Sequence, residues 1–213
     1  MEGKRTNKAA IWVTVLLLIV VFPGVGYIYL QRGLEYHRES YGELQELGPL
    51  PAFSAVTSAD TLLSSDKLTG NTVVPTTLES PERATEVVAS LNKLQDQFDH
   101  LPNVLFIGLT ADQSSLPLET LRENYGVNEK ADQWHILRVP SDQLAEIRLA
   151  LARQLSVDNW NQSQVILTDR FGQVRKVYNA LDNNDMGRLI EHISYIIPRN
   201  KKEKPVQVRR EEL

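Results

Sequence analysis

Between Val73 and Val88 the chain reads VVPTTLESPERATEVV. An apolar run gives way to a short polar loop and then to the opening of a helix. Redox folds place paired cysteines at such a junction, because a helix N-terminus stabilises a thiolate. Here the loop and first turn hold Ser80 and Ala84, and the chain contains no cysteine at all. Disulfides, dithiol exchange, thiolate metal ligands and thiol nucleophiles are therefore excluded. The loop is either a site whose chemistry has gone or an ordinary strand-to-helix turn.

The other residues able to do chemistry are scattered. His37, His100, His135 and His192 show no HxxH or HxH spacing, so ordinary surface or hydrogen-bonded roles are expected rather than a metal site. Asp182 and Asp185 in DNND lack the glycine and terminal glutamate of a calcium loop, and a helix N-cap is the better reading. Ser80 and Ser163 lack a G-x-S-x-G context. These observations predict no catalytic residue, no bound cofactor and no metal ligand.

The elements that must hold the loop follow from patterning. Ala9 to Leu30, AAIWVTVLLLIVVFPGVGYIYL, is 22 residues without a charge. As a helix it measures about 33 Å, enough for a bilayer core. Lys4, Arg5 and Lys8 precede it, while Arg32 and Arg38 are offset by Glu35 and Glu39. The more basic flank stays inside, so residues 1–8 are expected in the cytoplasm and the rest outside it, in the periplasm if the source is bacterial. Gly24-Val25-Gly26 offers a competing signal-peptide cleavage site, but the apolar run outlasts a signal peptide's core.

Residues 31–48 read as a tether with some helical character, ending at Gly48-Pro49-Leu50-Pro51. The folded domain is expected over 49–198, followed by a charged tail over 199–213. Within the domain, strands are predicted at 52–56, 71–77, 103–109, 135–139, 164–168 and 173–178. A loop is predicted at 60–70, and helices at 82–98, 116–125, 141–155 and 183–197. Ser80 followed by Pro81 predicts an N-cap, and Ser141 a second one. Asp169-Arg170-Phe171-Gly172 predicts a hairpin turn. Alternating strands and helices closed by a late hairpin predict an α/β domain, a mixed central sheet flanked by helices on both faces. A formal net charge of −4 argues against nucleic acid as a partner.

This order, that of the thioredoxin-like fold, resembles the SCO/SenC family, membrane-anchored copper chaperones of cytochrome oxidase assembly. Gly48-Pro49-Leu50-Pro51-Ala52-Phe53 matches the family's GP-x-P-x-F-like opening. Ser80-Pro81-Glu82-Arg83-Ala84 matches its C-P-x-x-C-type loop, and Gln95 to Phe98 the end of the helix that follows. Asp112, Pro117, Leu121, Tyr125 and Trp134 match later elements. Gln162 to Asn179 matches the terminal H-S-x-x-L-V-D-x-x-G-x-I-R-x-x-Y-D pattern. The resemblance implies a copper site of two cysteines and one histidine. The corresponding positions are Ser80, Ala84 and, by the better of two close alignments, Gln162. None supplies a soft donor.

The expectation is thus a single-pass membrane protein with an extracytoplasmic SCO-like domain lacking copper and redox chemistry. It would act as a binding or assembly factor linked to cytochrome oxidase biogenesis, through a protein partner. The alternative is an enzyme or metal carrier with a substitute site built, for instance, from His135 and Asp112.

Overall fold

The computed structural model describes residues 8–57, 61–111, 116–128, 132–157 and 160–197. Lys4, Arg5, Asp60, Asp112, Pro198 and the tail 199–213 lie outside them. Two compact units are present, divided after Leu44.

The first unit is helical. Helix α1 (Lys8–Leu16) runs into a π-helical turn (Leu17–Val21) and then α2 (Phe22–Gly42). Pro23 explains the wide turn. Proline lacks an N–H and its ring collides with the carbonyl four residues back, that of Ile19. The ladder widens just before it, and the Phe22 N–H bonds to the carbonyl of Leu17, five residues back. Trp12–Gly42 is long and apolar enough to cross a membrane by length and composition.

The second unit is built on one seven-stranded sheet in the order β2-β1-β5-β4-β3-β6-β7. The strands are β1 (Ser54–Val56), β2 (Leu62–Ser64), β3 (Thr72–Thr77), β4 (Val104–Ala111), β5 (Trp134–Val139), β6 (Gln164–Thr168) and β7 (Val174–Asn179). The central β3, β4 and β5 are parallel, Val74 standing beside Phe106 and Phe106 beside Trp134. The outer strands are antiparallel. Parallel strands need crossovers. Helix α3 (Pro81–Gln95) links β3 to β4, and α4 (Leu118–Tyr125) links β4 to β5. Helix α5 (Ser141–Leu155) links β5 to β6, and α6 (Asn183–Ile196) follows β7.

Both sheet faces are buried. Leu144, Ile147 and Leu151 of α5 pack among Val73, Ile107, Leu109, Leu137 and Val139. The strand residues of opposite parity, Val74, Phe106 and Trp134, are buried as well, with the Phe106 and Trp134 rings 5.8 Å apart. Helix α3 packs beside α4 and α6. Burial on both sides is why β3 and β4 read as unbroken apolar runs.

Three local expectations are corrected. Residues 60–70 hold more than a loop: Leu62–Ser64 pairs with β1, and Ser65–Leu68 forms a 3₁₀ turn. Three residues are too few to show a period of two. Helix α3 ends at Gln95, short of Phe98. Ser141 lies inside α5, whose N-cap is Pro140, and no side chain caps that end.

The hairpin at 169–172 forms as expected. Asp169 accepts the N–H groups of Phe171 and Gln173, and Gly172 takes φ +73°. On the outer edge of β7 lies residue stretch 45–50. Gln45 donates to Arg175, Leu47 to Val174 and Leu50 to Gly172, while Val174 donates back to Gly48.

Candidate functional site

The site expected from sequence lies where β3 ends. Leu78 donates its N–H to the Leu109 carbonyl at 2.8 Å and is fully buried. Gly108 makes this possible: a Cβ there would stand 2.3 Å from Leu78 Cδ1. The plug fixes the loop before its polar residues begin. Glu79 and Ser80 follow, and Ser80 is the N-cap of α3, its Oγ accepting from the Arg83 N–H at 3.4 Å. Pro81 takes the first helical position, where its missing N–H costs nothing. Ala84 lies in the first turn, bonded through its N–H to the Ser80 carbonyl at 2.9 Å and fully buried.

Gln162 comes to the same place from the segment before β6, 82 residues on. Its Oε1 accepts the Ser80 N–H at 2.9 Å, and its Nε2 donates to Ser80 Oγ at 3.3 Å. Ser80 and Gln162 therefore meet directly, and Ala84 sits one turn away. The donor set is a hydroxyl, a methyl and a carboxamide. Cu(I) favours thiolate, thioether and imidazole donors, so these residues do not fit it. Ser80 is not an activated nucleophile either: its Oγ accepts from an amide and a backbone N–H, whereas activation requires a base.

A second cross-link escaped the sequence. Arg148 of α5 donates from Nη1 to Glu79 at 2.7 Å and from Nε to the Trp160 carbonyl at 3.1 Å. It thus ties the loop after β3 to the segment before β6, in parallel with the Ser80–Gln162 pair. Its sequence signal is weak: Arg148 adjoins the buried Ile147 on α5 just as Arg122 adjoins the buried Leu121 on α4.

Beside this junction, over the C-terminal ends of the parallel strands, opens a cleft of about 450 Å³. Pro81, Ala111, Leu116, Leu121 and Leu144 give it apolar walls, and Thr110, Tyr125 and Ser141 bring hydroxyls. Burial pushes the Tyr125 phenol above its ordinary pKa, so it stays a proton donor.

The histidines are elsewhere. His135 stands at the start of β5, at the other end of the sheet from Ser80. Its pKa is lowered by burial and by Arg122, with Asp132 opposing. His192 is fully buried with Nδ1 2.6 Å from the Tyr178 hydroxyl, and His100 is exposed beside Asp99. Asp182 caps α6 by accepting from Asn184 and Asp185. Among the described residues no three His, Asp or Glu side chains form a group able to hold a metal.

No family model matches the sequence. No curated protein matches it. Solved structures do match. A SCO1/SenC family lipoprotein from Bacillus anthracis superposes with a TM-score of 0.57 at 15% identity, covering 70% of this chain and 95% of its own. BsSco, a member of the Sco family of cytochrome c oxidase assembly proteins, gives 0.55 at 17% identity, covering 70% and 92%. The thioredoxin domain of a thiol-disulfide oxidoreductase from Bacteroides vulgatus gives 0.53 at 14%, covering 72% and 99%. Behind one N-terminal apolar helix, this chain carries the thioredoxin-like fold that SCO/SenC proteins also have.

Proposed function

We propose that the protein is a membrane-anchored, non-catalytic member of the SCO/SenC group, a binding or assembly factor linked to cytochrome oxidase biogenesis. Its thioredoxin-like domain would work outside the cytoplasm as a protein-interaction surface. One observation carries the reading: Ser80 and Gln162 occupy each other's hydrogen-bonding groups at the loop end of the sheet. On this reading a hydrogen-bonded pair stands where the family's resemblance implies copper ligands, and the junction is held by amide and hydroxyl. Fold likeness supports the group, and the chemistry of the three side chains supports the loss of metal exchange.

The test is competition for Cu(I) against a chelator, run on the wild type and on a variant combining Ser80→Cys, Ala84→Cys and Gln162→His. The wild type should leave the metal with the chelator, and the variant should take it. Stoichiometric capture by the wild type would overturn the loss of the site. A folded variant that gains nothing would overturn the correspondence of these three positions.

A further inference from the structure

We propose that the N-terminal helix continues past the bilayer as a pairing surface, and that its partner is a second copy of this chain, parallel to the first. The inference rests on the membrane-anchored reading above. From Lys8 to Gly42 the backbone is helical throughout. At 1.5 Å per residue this is about 50 Å, whereas a hydrocarbon core spans about 30 Å. Charges return at Arg32, so the last turns stand in water rather than lipid. There the side chains sort by face. Leu34 and Tyr41 are 62% and 56% exposed, and helical spacing puts His37 on the same side. Arg32, Glu35 and Glu39 fall on the other side. Arg38 borders the apolar face, where its stem can cover the edge.

The spacing selects a second copy as the occupant. Tyr27, Leu30, Leu34, His37 and Tyr41 advance by alternate steps of three and four, the repeat of paired helices. The stripe runs unbroken from the lipid-level residues into the aqueous ones, so lipid covers only its inner half. The anchor delivers every copy parallel and at one depth, and each residue of the stripe then meets its own counterpart across a two-fold axis. His37, the polar position between Leu34 and Tyr41, sets the register, as polar residues in such a seam do. Gly26 and Gly33 adjoin the stripe, and a Cβ on either would meet nothing, which leaves room for close approach of two backbones.

The chain has no cysteine, so one introduced thiol reports one position. Full-length Leu34→Cys, Tyr41→Cys, Arg32→Cys and Glu39→Cys, with the wild type as blank, would be treated in carbonate-washed membranes with a short bismaleimide. Leu34→Cys and Tyr41→Cys should give about fivefold more covalent dimer than Arg32→Cys and Glu39→Cys, because only the seam brings like positions together. Two differently tagged copies should also copurify from mild detergent. Leu34→Glu sets like charges against each other and should cut that recovery about tenfold, while the exposed position spares the single helix. Glu39→Gln should leave recovery unchanged. Absence of the chain from the washed membranes would overturn the anchor and the pairing together. Equal cross-linking on both faces, no dimer from the membrane-held chain, or undiminished recovery with Leu34→Glu would overturn the pairing alone.

Discussion

The Ser80–Gln162 pair closes the junction between two distant segments by hydrogen bonding alone. Gln162 presents an acceptor and a donor on one planar amide, and Ser80 presents the complementary N–H and Oγ. Neither partner is left unpaired at a junction where an orphaned group would cost about 1–3 kcal/mol. His135 makes a different point at this scale. Burial and Arg122 disfavour its protonated form in the folded protein, so below about pH 6.5 the unfolded chain binds more protons. Folding stability should therefore be complete above that pH and fall as the pH drops toward the folded-state value. His135→Asn should flatten this loss, as read from urea midpoints between pH 5 and 8. An unchanged slope would show that other groups carry it. The sequence marked Ser80, Ala84 and Gln162 but not Arg148. The first three stood out through the order of the motifs around them, whereas Arg148 gains its role only when α5 folds back to bring it within reach of Glu79 and Trp160.

At the level of elements, β3, β4 and the loop after β3 act as one piece because Leu78 is seated over Gly108. Gly108→Ala forces a Cβ into the Leu78 side chain, and overpacking of this kind costs about 1–3 kcal/mol. Leu78→Ala should cost about 2–5 kcal/mol through the cavity it leaves. Combined, the two should cost clearly less than their sum, since the smaller side chain accepts the methyl. Urea denaturation of the two single variants and the double decides it, and strict additivity would mean that the residues do not share the space. Most elements were legible from periodicity: the apolar spacing of 87, 88, 91 and 94 marks α3, and the continuous run at 104–109 marks β4. Strand β2 was not, because its three residues are fixed by pairing with β1 rather than by their own pattern. The uncapped start of α5 was missed for a related reason. Ser141 has the right side chain, but Pro140 occupies the cap position.

For the whole molecule, the long apolar helix predicts behaviour that no soluble thioredoxin-like domain shows. The full chain should remain in the membrane pellet after carbonate washing, and the second unit should be cut by protease added from the outer side. Recovery of a soluble form beginning near Tyr27 would mean that the helix is a removed leader. One feature of the second unit also bears on how it can be made in isolation. A fragment begun at Pro49, the boundary its proline-rich punctuation suggests, discards the stretch that Gln45 to Gly48 lays along β7. Such a truncation bares the backbone of an edge strand, the surface through which sheets of separate molecules join. A cloning start four residues earlier keeps that cover, so the choice of first codon should separate a monodisperse preparation from one that self-associates.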